Sequence, residues 1–277
     1  MSNDSSDDLT YTLGSTNAEH ARLIRQATIF NPITERFLSD AGVGPGQRVL
    51  DIGSGLGDVS MLVARMVGPS GEVVGIDNDA SVIAKAKTRA MKAGLGNISF
   101  MESDLGRLSG GELFDSIAGR LILQFLPDPT AVVRSLVESL RPGGVLAIQD
   151  ACWAAFLHAS ADLPLRSKCA TLMYAAFQRS GGKTDMELVL YRAFQDAGLP
   201  APAMRIEVPV GGYSELARWT YDLFCSLLPR MRQYNLAISG VGDLATLQQR
   251  LDTELASTNS LAVTIGLVGA WSQKPDE

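Results

Sequence analysis

Val49-Leu50-Asp51-Ile52-Gly53-Ser54-Gly55-Leu56-Gly57-Asp58 is the stretch that decides the fold. With Arg48 in front, its first residues make a short apolar run of strand length. Glycine then takes every second position, and beyond Asp58 the apolar residues Val59, Leu62, Val63, Met66 and Val67 recur at helical spacing. A buried strand that breaks into glycine and continues as an amphipathic helix is the first half of a βαβ unit. Glycine serves such a turn wherever the backbone takes a positive φ or must lie close against a ligand.

The same alternation continues downstream. Residues 72–76 predict a strand, 80–93 a helix with Val82, Ile83, Ala86 and Ala90 inward, 97–101 a strand and 114–119 another. A helix over 129–140 ends at Arg141-Pro142-Gly143-Gly144, which turns into a strand over 145–149. Strands alternating with helices of about ten residues imply parallel pairing through crossovers, hence an α/β, doubly wound, mostly parallel sheet. Its ligand crevice is expected beyond the carboxyl ends of the strands. After Asp150 the alternation breaks. Residues 151–185 read as a helical insertion, 186–197 as a helix, 204–210 as a strand, 213–257 as mostly helical and 261–271 as a last strand. Upstream, 15–42 reads as two short helices, with Asn31 capping the second, Pro32 at its first position and Gly42 past its end. Residues 1–14 read as a disordered acidic tail, and 15–277 as one domain with cap helices near 151–185 and 213–257.

Two nucleotide-site readings compete at the glycine turn. A dinucleotide fingerprint is Gly-x-Gly-x-x-Gly, with pyrophosphate at the helix N-terminus. Here the third glycine comes one residue early, and Asp51 and Asp58 bracket the turn. Carboxylates there repel phosphate and suit a cationic ligand, although a helix N-cap also accounts for Asp58 and hydrogen bonds to backbone amides also account for Asp51. The second strand ends in Asp77-Asn78, 24 residues after Gly53, where a carboxylate can accept both ribose hydroxyls. The third strand is followed by Glu102-Ser103-Asp104-Leu105, where a side-chain oxygen can accept from an adenine amine.

With VLDIGSGLGD, VVGIDND, the SDL after the third strand and RPGGVLAIQD in view, the chain resembles the class I S-adenosylmethionine-dependent methyltransferases over roughly residues 45–150, most of all the small-molecule enzymes related to quinone biosynthesis. The resemblance implies S-adenosyl-L-methionine as cofactor and a seven-stranded sheet of order 3-2-1-4-5-7-6 with the last strand antiparallel. It places Asp51, Gly53, Ser54 and Gly55 at the methionine end. It puts Asp77 on the ribose, Asn78 beside the adenine, Ser103, Asp104 and Leu105 around the adenine, and Gly119 near the sulfonium. The N-terminal helix, flanked by Tyr11 and Gln26, is expected to close over the cofactor.

Methyl transfer is an in-line displacement, for which alignment alone can supply about 7–11 kcal/mol, so a general base need not be conspicuous. Candidates for the acceptor side are Arg120 and Gln124 after the fourth strand, Asp150 after the fifth, and His158 in the cap as a base. Arg120 would either anchor an anionic oxygen, of cofactor or acceptor, or brace the N-terminal helices through an acid. His20, beside Glu19, reads as a surface residue. Trp153, Phe156, Leu172, Met173, Tyr174, Phe177, Tyr213, Trp219, Tyr221, Phe224 and Met231 suit an apolar pocket, or simply pack cap helices. The expected acceptor is a small, apolar or aromatic organic molecule.

Composition bounds the rest. Hydrophobic residues are 46% of 277, enough for a sizeable core. The net charge of −6 and the lack of a Lys/Arg run speak against nucleic acid. The acidic N-terminus is not a signal peptide, and apolar runs such as 121–126 are too short to span a bilayer. A cytoplasmic monomer or homodimer without membrane contact is expected. The odd set Cys152, Cys169 and Cys225 reads as free thiols, and two histidines do not furnish a multi-histidine metal site. The alternatives are an NAD-dependent oxidoreductase, or a protein that keeps the cofactor pocket without methylating, binding a ligand or steering a cyclisation.

Overall fold

The computed structural model describes residues 16–105, 113–212 and 214–276. The acidic segment 1–14, with Tyr11, and also Tyr213, lie outside the described residues.

The chain opens on α1 (Asn17–Asp40), capped by Thr16, whose hydroxyl accepts from the Glu19 amide at 3.2 Å. The two helices expected over 15–42 are one. Pro32 sits inside α1 and removes a single backbone donor. The helix runs through it because Phe30, Ile33, Phe37 and Leu38, on both sides of the proline, are all buried along it. There follow β1 (Arg48–Ile52), α2 (Asp58–Val67), β2 (Glu72–Asp77), α3 (Ala80–Lys92), β3 (Ile98–Glu102), β4 (Phe114–Arg120), α4 (Pro129–Glu138) and β5 (Leu140–Cys152). Asp79 and Asp128 cap α3 and α4 through the amides of Ser81 and Ala131. The Arg141–Gly144 turn expected before β5 is a bulge within it. The β4–β5 register jumps from Phe114 opposite Leu140 to Ser116 opposite Val145, with Gly143 at φ +73°.

The second half supplies α5 (Ala154–Ser160), α6 (Pro164–Arg179), α7 (Met186–Asp196), β6 (Ala203–Glu207), β7 (Val210–Gly211), α8 (Ser214–Gln233), α9 (Leu247–Ser257), β8 (Ala262–Val263) and β9 (Gly266–Gln273). Each of the two strands expected at 204–210 and 261–271 is split. Pro209, with no amide proton, ends the ladder after β6. Its carbonyl accepts from Thr264, and β7 and β8 pair apart as a small ribbon.

The main sheet has the order β3-β2-β1-β4-β5-β9-β6, parallel except for β9, which runs antiparallel to both β5 and β6. The chain winds outward from β1 in one direction and from β4 in the other, so the strand order reverses between these neighbours. A crevice opens at such a switch point. One core, with Leu50, Ile76, Val133, Leu146 and Phe194, underlies the sheet on the α4–α7 side. Another holds Phe37, Val49, Val63 and Val73. A third joins α5, α6, α8 and α9 through Phe156, Met173, Phe224, Leu227 and Leu251. Among the described residues, no helix is long and apolar enough to cross a membrane. Cys152 and Cys169 are buried and Cys225 is exposed, all as free thiols.

Candidate functional site

The three glycines of the β1–α2 turn all have positive φ, and a Cβ would meet different surroundings at each. A Cβ on Gly53 (φ +61°) would lie 2.7 Å from the Ile122 side chain, and one on Gly57 (φ +80°) 2.8 Å from Phe100. A Cβ on Gly55 (φ +51°) would meet nothing within 4 Å. Gly55 therefore faces open space, and that space is a cavity at the carboxyl ends of β1, β2, β4 and β5. Gly53, Ser54, Gly55, Asp58, Asp77 and Asn78 line one end of it. Asp77 holds the loop in place: one carboxylate oxygen accepts from the Gly55 amide at 2.9 Å, the other from the Asp79 amide at 3.1 Å. Burial pushes the Asp77 carboxyl up, against the pull of these amides.

Asp58 is the first residue of α2 rather than its cap; Gly57 takes the cap position. The Asp58 carboxylate meets the Arg89 guanidinium at 2.6 Å, which offsets part of its charge. The Ser54 hydroxyl is buried and finds no hydrogen-bond partner among the described residues.

Several residues expected in the site stand outside the cavity wall. Asp51 is 1% exposed and accepts from the Ser60 hydroxyl beneath the loop. Burial pushes it up to about 7, with Ser60 and Arg120 pulling it back. It supports the turn from below. Gly119 is buried, and a Cβ there would come within 2.6 Å of Ile52, so its smallness serves strand packing. Ser103, Asp104 and Leu105 follow β3 next to the ribose-side strand, the Ser103 amide donating to the Asp77 carbonyl at 2.9 Å. Their side chains do not line the cavity: Asp104 is exposed, and Leu105 leans on the core under α4.

Two of the three catalytic candidates are likewise displaced. Asp150 is fully buried, and burial pushes its carboxyl up to about 8. The amides of Gln124, Leu123 and Ile122 oppose the shift, yet neither oxygen completes a hydrogen bond of good geometry. Asp150 thus sits behind the turn at 122–125, away from the cavity surface. His158 is exposed, because the inward face of α5 is set by Phe156 and Ser160, and the residue midway between them points outward. Arg120 does line the cavity. Its Nη1 donates to Asn31 Oδ1 at 3.0 Å and Thr34 Oγ1 at 2.9 Å. It braces α1 through two neutral groups, not through an acid. Burial lowers its pKa, while Asp58 and Asp51 raise it.

The N-terminal helix contributes more than expected. Gln26 lines the cavity, its Oε1 accepting from Arg22 Nη1 at 2.7 Å and Trp219 Nε1 at 3.3 Å. His20, Arg22 and Leu23 join it. His20 is not a surface residue: it is 7% exposed. The signal was available, since His20, Leu23, Ala27 and Phe30 fall on one helical face.

At the other end the wall is apolar. Leu121 (φ +57°, an uncommon angle for leucine), Phe125, Trp153, Phe177, Trp219, Leu223 and Ile265 face the cavity, with Gln124 and Arg120 as the polar groups nearby. Trp153 stacks edge-on or tilted against Tyr174 and Phe177. Of the other cap residues, Phe156, Leu172, Met173, Phe224 and Met231 are buried in the helical core, and Tyr174 and Tyr221 pack against it.

A family model described as a methyltransferase domain matches residues 44–198, more than half of the chain. Over about 110 residues the chain is similar to curated methyltransferases. The ubiquinone/menaquinone biosynthesis C-methyltransferase of Pseudomonas paraeruginosa is 36% identical, with 40% of this chain and 44% of that protein covered. The trans-aconitate 2-methyltransferase of Deinococcus radiodurans is 38% identical, with 38% of each chain covered. The arsenite methyltransferase of Halobacterium salinarum is 34% identical, with 40% of this chain and 28% of that protein covered. The chain thus spans less than half the length of these relatives. Among solved structures, YcgJ of Bacillus subtilis superimposes with a TM-score of 0.56 at 17% identity, over 87% of this chain and 97% of the other. The [4+2]-cyclase SpnF gives 0.52 at 17%, over 89% and 82%. At these identities the likeness is one of fold. An open glycine turn on a sheet of this order and the family match agree: the chain belongs to the class I methyltransferases, and S-adenosylmethionine is its cofactor.

Proposed function

We propose that this enzyme methylates a small organic acceptor with an apolar, aromatic-sized body. The observation that carries the reading is the continuity of one cavity from the Gly53–Gly55 loop and Asp77 to a chamber walled by Phe125, Trp153, Phe177, Trp219, Leu223 and Ile265. Pockets of this kind bind by apolar area and use a few polar groups for orientation. Of the names carried by the relatives, the one tied to ubiquinone and menaquinone biosynthesis suits such a chamber better than arsenite or trans-aconitate.

The residues fit the cofactor. In this reading Gly55 leaves the room for it, the Ser54 hydroxyl and the loop amides meet the methionine end, Asp77 takes the ribose hydroxyls and Asn78 lies beside the base. Bound there, S-adenosylmethionine supplies a methyl carbon already activated by the sulfonium. The chain's own share is then alignment and exclusion of water. Arg120 and Gln124 orient the acceptor's polar group, and the aromatic wall holds its body in line. Proximity of this kind is worth about 7–11 kcal/mol in well-ordered systems. Neither Asp150 nor His158 belongs to this scheme, because neither reaches the cavity surface. The enzyme acts as a monomer or homodimer without a nucleic-acid partner.

The test is a matched acceptor panel, with S-adenosylhomocysteine release as readout. Turnover with aromatic or long apolar acceptors, and little with short polyanionic ones, is the expected result. Preference for small dianions would overturn the acceptor assignment while leaving the cofactor assignment intact.

A further inference from the structure

His20 and Lys85 meet across α1 and α3, with Nδ1 of the ring 2.8 Å from Nζ. An ammonium group has donors only, so Nδ1 must accept. The proton of the neutral ring is thereby fixed on Nε2. That atom is buried and has no partner among the described residues. Burial and Lys85 both push the ring toward the neutral form, while Glu19 on the same helix and Asp79 at the start of α3 pull the other way. His20 lines the cavity, so its ring holds one buried donor, of fixed position and without an acceptor among the described residues, at the cavity's edge.

Its neighbours identify the part of the ligand it faces. Asp77, Asn78, Asp79 and Val82, which line the same end of the cavity, follow β2 and open α3. In the proposed reading the β1 loop meets the methionine end instead. A donor beside β2 and α3 meets acceptors of the nucleoside: adenine ring nitrogens or ribose oxygens.

We infer that His20 is a nucleoside-recognition residue whose Nε2–H donates to the adenosine half of the cofactor, and that Lys85 is a positioning residue that sets the tautomer. The inference rests on the cavity being the cofactor site. Leaving such a donor without its acceptor costs roughly 10-fold in affinity.

The experiment pairs ring ¹⁵N NMR with calorimetry, in a His158→Gln background that leaves one histidine signal. S-Adenosylhomocysteine and 5′-methylthioadenosine, which lacks the amino-acid half, are the two probes. In the free protein, Nε2 should carry the proton and Nδ1 should not, and both probes should shift the Nε2–H resonance. His20→Phe should weaken both probes about 10-fold with an unchanged Tm. His20→Gln, which keeps a donor, should recover part of that loss. Lys85→Met should release the tautomer and weaken both probes about 3-fold. Weakening of S-adenosylhomocysteine alone would move the donor to the methionine half and overturn the assignment, as would unchanged affinities or a proton on Nδ1. Failure of the parent protein to bind either probe would instead remove the cavity as cofactor site, a result distinct from all of these.

Discussion

The two ends of the cavity are built from different materials. The end on the sheet, the cofactor end in the proposed reading, is mostly backbone: a loop of three positive-φ glycines, tied to Asp77 by the Gly55 amide. The acceptor end and the roof are side chains on helices, with Trp153 and Phe177 at the cap and Trp219 on α8 linked to α1 through Gln26 and Arg22. A backbone site tolerates almost no substitution at its turn but says little about what lies beyond it. A side-chain wall can change its acceptor one residue at a time while the cofactor end stays as it is.

The largest effect is expected where the comparison is most one-sided. Gly55→Val should weaken S-adenosylhomocysteine by more than about 100-fold, since the new side chain enters the cavity. The fold should survive at a cost in stability, because no protein atom lies within 4 Å of that Cβ, while a β-branched residue in the left-handed region costs more than the roughly 1–2 kcal/mol of an ordinary one. Calorimetry beside thermal denaturation checks this, and normal binding would break the claim that Gly55 faces the ligand. Next, Asp77→Ala should cost about 10- to 100-fold in affinity for the same ligand, as it removes the ribose acceptor and frees two loop amides. On the other side of the comparison, Phe177→Leu should raise KM for an apolar acceptor several-fold and shift S-adenosylhomocysteine affinity less than about 2-fold. Equal effects on both would mean that the two ends are not separable.

The last prediction concerns stability rather than binding, at the buried carboxyl behind the wall. Asp150 holds its proton up to about pH 8 in the native state, whereas the unfolded chain releases it near pH 4. The native state therefore binds more protons between those values, and stability falls as pH rises through that window, by at most about 1.4 kcal/mol per pH unit. Asp150→Asn should flatten the decline of Tm between pH 5 and 8 and leave the part due to Asp51, which titrates near 7. An unchanged slope would show that Asp150 is ionised in the native protein.

The same contrast explains what could be read from the chain. Strands β1 to β5 and the glycine turn were legible because continuous apolar runs and alternate glycines have few other uses. Asp77 and Asn78 followed from their place at the end of β2. Asp51, Asp150 and Gly119 misled because a position near a strand's carboxyl end does not say which way the side chain points. Asp51 turns under the loop to Ser60, and Asp150 turns behind residues 122–124. His158 misled because a helix only seven residues long gives the eye too few turns to separate its faces. The roof was legible in part. Gln26 and Trp219 are expected at the pocket, whereas His20 reads as a surface residue when its acidic neighbour Glu19 is given more weight than the helical face it shares with Leu23, Ala27 and Phe30.

The most direct measurement is a crystal structure with S-adenosylhomocysteine. The ribose hydroxyls should lie within hydrogen-bond distance of the Asp77 carboxylate, with the sulfur facing the chamber of Trp153, Phe177 and Trp219. A nucleoside seated elsewhere, or a ribose turned away from Asp77, would contradict the account.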